Sequence, residues 1–112
     1  ASFAESLKAD VIVPGFNAEE AVTFPDNSDE FIQATNKALF YSTANQSKVI
    51  CYTIKMSKIE IVQTGKKMSV PFELTWPCYF DHQRWCGQCE SCLRAKRAFK
   101  NIDEKLLTYF EN

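Results

Sequence analysis

Apolar residues recur along this chain in short clusters whose spacing changes from segment to segment. In the opening stretch ASFAESLKAD, Phe3, Ala4 and Leu7 fall at helical spacing, so a helix is expected over residues 1–8. Val11, Ile12 and Val13 form an unbroken apolar run that Pro14 and Gly15 stop, which predicts a short strand. The polar stretch 17–30 carries Glu19, Glu20, Asp26, Asp29 and Glu30 with no Lys or Arg, and is expected as an acidic loop. Asn27 or Ser28 can cap the helix that follows, whose acidic first turn suits the helix dipole. That helix is expected to run to about Thr43, with Phe31, Thr35, Ala38 and Leu39 on one face.

Residues 49–54 are apolar or small on both faces, as expected of an inner strand in a parallel sheet. Ser57 and Glu60 make the S-x-x-E pattern of a capping box just before Ile61 and Val62. The helix they open should end near Lys67, weakened by Gly65. Helices alternating with strands predict an α/β fold, a sheet with helices on its faces. Two strands are too few for a stable sheet. The chain also opens at Ala1 inside an expected helix, without an initiator Met. Both features lead us to expect a fragment, or a cleaved chain, lacking an N-terminal part.

Composition adds limits. At 112 residues, 46% hydrophobic and 24% charged, the chain has the balance of an ordinary globular protein. A net charge of −1 gives no bulk electrostatic drive toward nucleic acid, so no direct nucleic-acid binding is expected. Apolar runs of only a few residues predict no membrane span, and with no visible leader the expected location is the cytoplasm.

The cysteines change the picture most. Cys78, Cys86, Cys89 and Cys92 lie at C-x7-C-x2-C-x2-C spacing within TWPCYFDHQRWCGQCESCLRAKRAFKN. A C-x2-C turn lets two thiolates converge on one centre, and Gly87 eases the sharp turn after Cys86. Four thiolates close a tetrahedral shell, so the expected site is a structural zinc. An iron–sulfur cluster is the rival, but its usual motif continues with a further Cys and Pro, where this chain has Ala95 and Lys96. His82 lies between the ligands as an alternative donor, and disulfides are the least favoured reading. Cys51, in the apolar run KVICYTI, reads as a small core residue. Trp76 and Trp85 are expected to pack beneath the metal module. Arg94, Lys96, Arg97 and Lys100 follow on a helix, where they offset the anionic site or touch phosphate.

These segments resemble the QueC (ExsB) family of 7-cyano-7-deazaguanine synthases. TWPCYFDHQRWCGQCESC is similar to the family's zinc motif. VIVPGFNAEEAVTFPDNSDEFIQATNKAL is similar to its strand, acidic loop and following helix, and MSKIEIVQTGKKMSVPFELTWPCY to its Lys-containing helix. The likeness covers nearly the whole chain, in order. It implies an ATP-dependent ligase that converts 7-carboxy-7-deazaguanine and ammonia, through an amide, to the nitrile precursor of queuosine and archaeosine. It further implies a partial pyrophosphatase-loop (adenine nucleotide alpha hydrolase-like) sheet over 1–74 and a four-cysteine zinc subdomain with a C-terminal helix over 75–112. A homodimer and a deazapurine-binding role for Glu20, Phe24 and Asp26 are implied as well. The family's SGG-x-DS loop for ATP has no counterpart: Gly15, Gly65 and Gly87 are the only glycines. The resemblance is therefore to the C-terminal half, with ATP bound mainly by the missing N-terminal half, and the 112 residues alone are expected to be inactive. Phe24 stands where the family usually has Tyr, Asn27 and Ser28 where it has Cys and Arg, and Ala95 where Arg is common. These departures leave open a relative acting on another substrate. A free-standing zinc-binding interaction module, for RNA through the four basic residues, is the alternative of a different class.

Overall fold

In a computed structural model, which describes residues 1–111, the chain forms two compact units that divide between Ser57 and Lys58. The first contains α1 (Ser2–Ser6), β1 (Val11–Ile12), α2 (Ala18–Ala21), α3 (Asp29–Ser42) and β2 (Lys48–Val49). β1 and β2 pair in parallel, with Val11 opposite Lys48 and Ile12 opposite Val49. The architecture is thus α/β with a small parallel sheet.

Several local expectations change on contact with the structure. The stretch 17–30 is not a plain loop. Asn17 caps α2 by accepting the Glu20 N–H at 3.1 Å, and Pro25–Asn27 forms a 3-10 helix. Of the two candidate caps for α3, Ser28 serves: its Oγ accepts the Phe31 N–H at 3.1 Å. The buried positions of α3 are Ile32 and Leu39, while Phe31 stays exposed and meets the Phe16 ring edge-on at 6.3 Å. Helical rotation of one residue separates this face from the one expected from Phe31 and Ala38. β2 ends at Val49 instead of running to Ile54. Beyond it the Thr53 hydroxyl donates to the Phe16 carbonyl at 2.6 Å, and the backbone turns out of the ladder. Cys51 is buried there, with its Sγ 3.4 Å from the same carbonyl.

The second unit contains α4 (Lys58–Lys67), a 3-10 helix (Phe72–Leu74), the cysteine segment, α5 (Glu90–Phe99) and a 3-10 helix (Glu104–Tyr109). α4 begins directly after Ser57, as the capping-box pattern predicts. Gly65 does more than weaken its end. It is buried, and a Cβ there would stand 2.5 Å from the tip of the Phe72 ring, so the glycine is what lets Phe72 lie against the helix. Phe72 in turn meets Phe99 at 5.7 Å between ring centres. Among the described residues no helix is long and apolar enough to cross a membrane.

Candidate metal centre

α5 organises the site. Cys92, Ala95, Ala98 and Phe99 form its buried face, and Leu93 and Arg97 face out. Cys89 is its N-cap: the thiol sulfur accepts the Cys92 N–H at 3.4 Å, a place where the helix dipole favours a thiolate. Upstream, Gly87 holds φ at +69°, the left-handed turn that brings Cys86 and Cys89 to one side. The same glycine leaves room for Lys96, whose Nζ would lie 2.5 Å from an added Cβ.

The sulfurs of Cys78, Cys86, Cys89 and Cys92 all lie within 4.8 Å of one another, and those of Cys86 and Cys92 are 3.9 Å apart. All four are thiols, with no disulfide between them. Zinc–sulfur bonds of about 2.3 Å in a tetrahedron put sulfurs about 3.8 Å apart, so this donor set fits such an ion. Backbone N–H groups surround the sulfurs. Phe80 donates to Cys78 at 3.4 Å, Cys86 to Cys78 at 3.5 Å, and Gln88 and Cys89 to Cys86 at 3.4 and 3.3 Å. These donors stabilise thiolate charge. Burial alone would raise the Cys89 thiol, but the backbone N–H groups of Tyr79 and Cys92 and the neighbouring thiols bring it down to about 6. At Cys78 burial is likewise outweighed, by the N–H groups of Cys86 and Phe80, and its pKa is lowered. Cys92 is the reverse. Its side chain is 0% exposed, and burial with three neighbouring thiols pushes its pKa up despite the Gly87 N–H. A divalent cation held there would supply the charge that lets all four deprotonate.

The metal site and the core of this unit are continuous. Trp85, 2% exposed, stacks on Phe99 at 6.0 Å and meets Phe110 at 4.9 Å. The chain end is laced to it: Trp85 N–H donates to Tyr109 O at 3.2 Å, and Glu111 N–H to Trp85 O at 2.7 Å. Trp76 does not share this role. It is 48% exposed and donates its indole N–H to Phe80 O at 3.1 Å. His82 is exposed, beside the Phe80 ring, and stands outside the sulfur cluster.

Residues 1–103 match the family described as queuosine biosynthesis protein QueC. The chain belongs to the QueC family. The QueC chain is 59% identical over 109 residues to a protein of Bdellovibrio bacteriovorus named 7-cyano-7-deazaguanine synthase, covering 96% of the chain and 47% of that protein. Proteins of the same name from Desulforamulus reducens and Methanosarcina mazei are 50% and 52% identical. They are matched over 91% and 93% of the chain and 45% of each relative. The chain thus spans about half the length of the curated relatives it matches. No solved structure matches it.

The three QueC residues expected to contact a deazapurine lie in the first unit, on the segment that leaves the end of β1. Glu20 sits on α2, and Asp26 in the 3-10 turn accepts from Asn27 Nδ2 at 3.2 Å. Phe24 precedes that turn with its ring partly exposed. On the basic helix face, Arg94 pairs with Glu90 and Lys96 lies 5.0 Å from the centre of the Phe110 ring. Arg94 and Lys96 are therefore engaged within the fold. The backbone donors to sulfur could not be anticipated from residue identity, because any residue supplies an N–H. The apolar run at 106–110 was the one available signal for the chain end that covers Trp85.

Proposed function

We propose that this chain is the metal-bearing half, corresponding to the C-terminal half, of a 7-cyano-7-deazaguanine synthase, and that its ion is zinc. The observation carrying this reading is the 59% identity over 109 residues to a protein of that name, together with a sulfur cluster sized for a tetrahedral ion. In the whole enzyme, ATP activates the carboxylate of 7-carboxy-7-deazaguanine, ammonia forms the amide, and a second ATP drives dehydration to the nitrile. The phosphate-binding loop belongs to the half outside these residues, so this chain alone does not turn over. The small parallel sheet is its part of an adenine nucleotide alpha hydrolase-like sheet, and the assembled enzyme is a cytoplasmic homodimer.

Within that enzyme the chain has two tasks. Cys78, Cys86, Cys89 and Cys92 hold zinc in a closed shell, which fixes α5 and the chain end and leaves no position for substrate. Glu20 and Asp26 offer carboxylates to the guanidine-like N–H edge of the deazapurine, and Phe24 offers an exposed ring face beside them. Their setting supports this role, because ligands of open parallel sheets bind beyond the carboxyl ends of strands, where this segment begins.

The test has two parts. Metal analysis and a visible spectrum of the purified chain should give about one zinc per chain and no colour. Mixing it with the part of the Bdellovibrio relative that it does not cover should restore nitrile formation from the carboxylate, ATP and ammonia, read by mass spectrometry. A brown sample rich in iron would overturn the zinc assignment. An associated but inactive mixture would overturn the synthase reading.

A further inference from the structure

The basic residues at the end of α5 gather around one hollow. Lys96 and Lys100 stand one helical turn apart, so their side chains leave the same face, and Arg97 lies beside Lys96. With Leu107, Phe110 and Glu111 they line a concave site of about 400 Å³, wholly inside the second unit. That volume falls in the range of small-molecule sites. None of the four cysteines of the sulfur cluster lines it.

The lining is held in shape by the fold. Lys96 is half-buried, with its Nζ 5.0 Å from the centre of the Phe110 ring, in the space that Gly87 leaves by lacking a Cβ. Glu111 N–H donates to Trp85 O at 2.7 Å, which pins the backbone that carries the Glu111 carboxylate. Elsewhere in this unit cations meet carboxylates: Lys66 pairs with Asp103 and Arg94 with Glu90. The ammonium groups of Lys96 and Lys100 have no hydrogen bond or ion pair among the described residues, and Glu111 pairs with neither. A ring face attracts a cation but does not neutralise it. The fold thus positions positive charge here and leaves it without an anion.

We infer that this hollow at the end of α5 binds a nucleoside monophosphate. Lys96, Arg97 and Lys100 take the phosphate, where charge-assisted hydrogen bonds to a dianion are strongest. The sugar lies against Leu107, and the Glu111 carboxylate accepts N–H groups of the base. Glu111 also decides between a small ligand and a polyanion: a carboxylate on the lining, in a chain of net charge −1, opposes an extended phosphate backbone. The inference goes beyond the synthase reading and uses no part of it.

Calorimetric titration of the zinc-loaded 112-residue chain at low salt, with guanosine 5′-monophosphate and with ribose 5-phosphate, tests it. The nucleotide should bind at one site with a Kd below about 1 mM, and ribose 5-phosphate about tenfold more weakly. Lys96→Met keeps the aliphatic stem against Phe110 and should weaken both about tenfold. Lys100→Met, at an exposed position, should weaken both about fivefold and leave the zinc content unchanged. Glu111→Ala should erase the preference for the nucleotide over ribose 5-phosphate. No binding of the nucleotide up to about 10 mM overturns the inference, as does binding that neither lysine variant weakens. If Lys96→Met sheds zinc while Lys100→Met binds the nucleotide as before, the cations serve the thiolates and the inference falls. A Glu111→Ala variant that binds both ligands more tightly overturns the contact to the base. A single-stranded RNA that binds more than about tenfold tighter than the mononucleotide makes the hollow part of a polyanion surface, and overturns the inference too.

Discussion

Cys92 is both a candidate ligand and the fully buried start of the inner face of α5, so its two roles fail together. Cys92→Ser should drop the metal content from about one ion per chain to near zero, as measured by mass spectrometry of the metal. Cys51→Ser, which alters a buried sulfur outside the cluster, should keep the ion. A second residue-scale test concerns charge. The Lys66 ammonium hydrogen-bonds Asp103 and holds its carboxyl below the usual carboxylate range, against a smaller opposing effect of burial. A carboxyl lowered in the folded state adds stability that is present above its unfolded pKa and fades as pH falls through the folded one. Lys66→Met should therefore raise the Asp103 titration midpoint toward the ordinary value, as NMR of the side-chain carboxyl would show. An unmoved midpoint would mean that the ion pair does not set it. The cysteine spacing was open to sequence reasoning because metal ligands are fixed by residue type. The Lys66–Asp103 pair was not, since the partners are 37 positions apart and nothing local links them.

At the scale of elements, the start of α3 rests on one hydroxyl. Ser28→Ala should cost about 1 kcal/mol by removing the bond to Phe31 N–H, measurable by chemical denaturation. α4 offers a less intuitive case. Gly65→Ala should improve helix propensity by about 1 kcal/mol, yet it places a methyl within the Phe72 ring, and overpacking costs about 1–3 kcal/mol. The expected net effect is a loss of about 1 kcal/mol, and a gain would show that Phe72 shifts freely. These cases mark what periodicity can deliver. The existence of α3 and the start of α4 just after Ser57 were legible, because local sequence signals mark them. Two features were not. The choice of Ile32 over Phe31 as the inward residue depends on where Phe16 arrives from elsewhere in the chain. The early end of β2 depends on the bond from Thr53 to the Phe16 carbonyl, a contact between residues 37 positions apart.

At the scale of the molecule, the decisive feature of the second unit is that core and metal site are one object. Cys78, Cys86 and Cys92 are members of the same buried cluster as Trp85, Phe99, Leu106 and Phe110. A unit of this size has little apolar surface to bury, and small domains of this kind depend on a metal or another staple. Without a cation, the four sulfurs would crowd together as thiols in the middle of that core, and the Trp85–Phe110 pairing would lose its anchor. Removing the ion with a strong chelator should therefore open the whole unit rather than loosen a loop. Tryptophan emission can read this in a Trp76→Phe variant, which silences the exposed indole and leaves Trp85 as the reporter. Emission from the loaded variant should lie at short wavelength, move to long wavelength on chelation, and return when zinc is restored. If chelation removed the ion while the emission stayed unchanged, Trp85 would remain packed without metal. The aromatic cluster would then be self-sufficient, and the ion would serve some purpose other than holding this unit together.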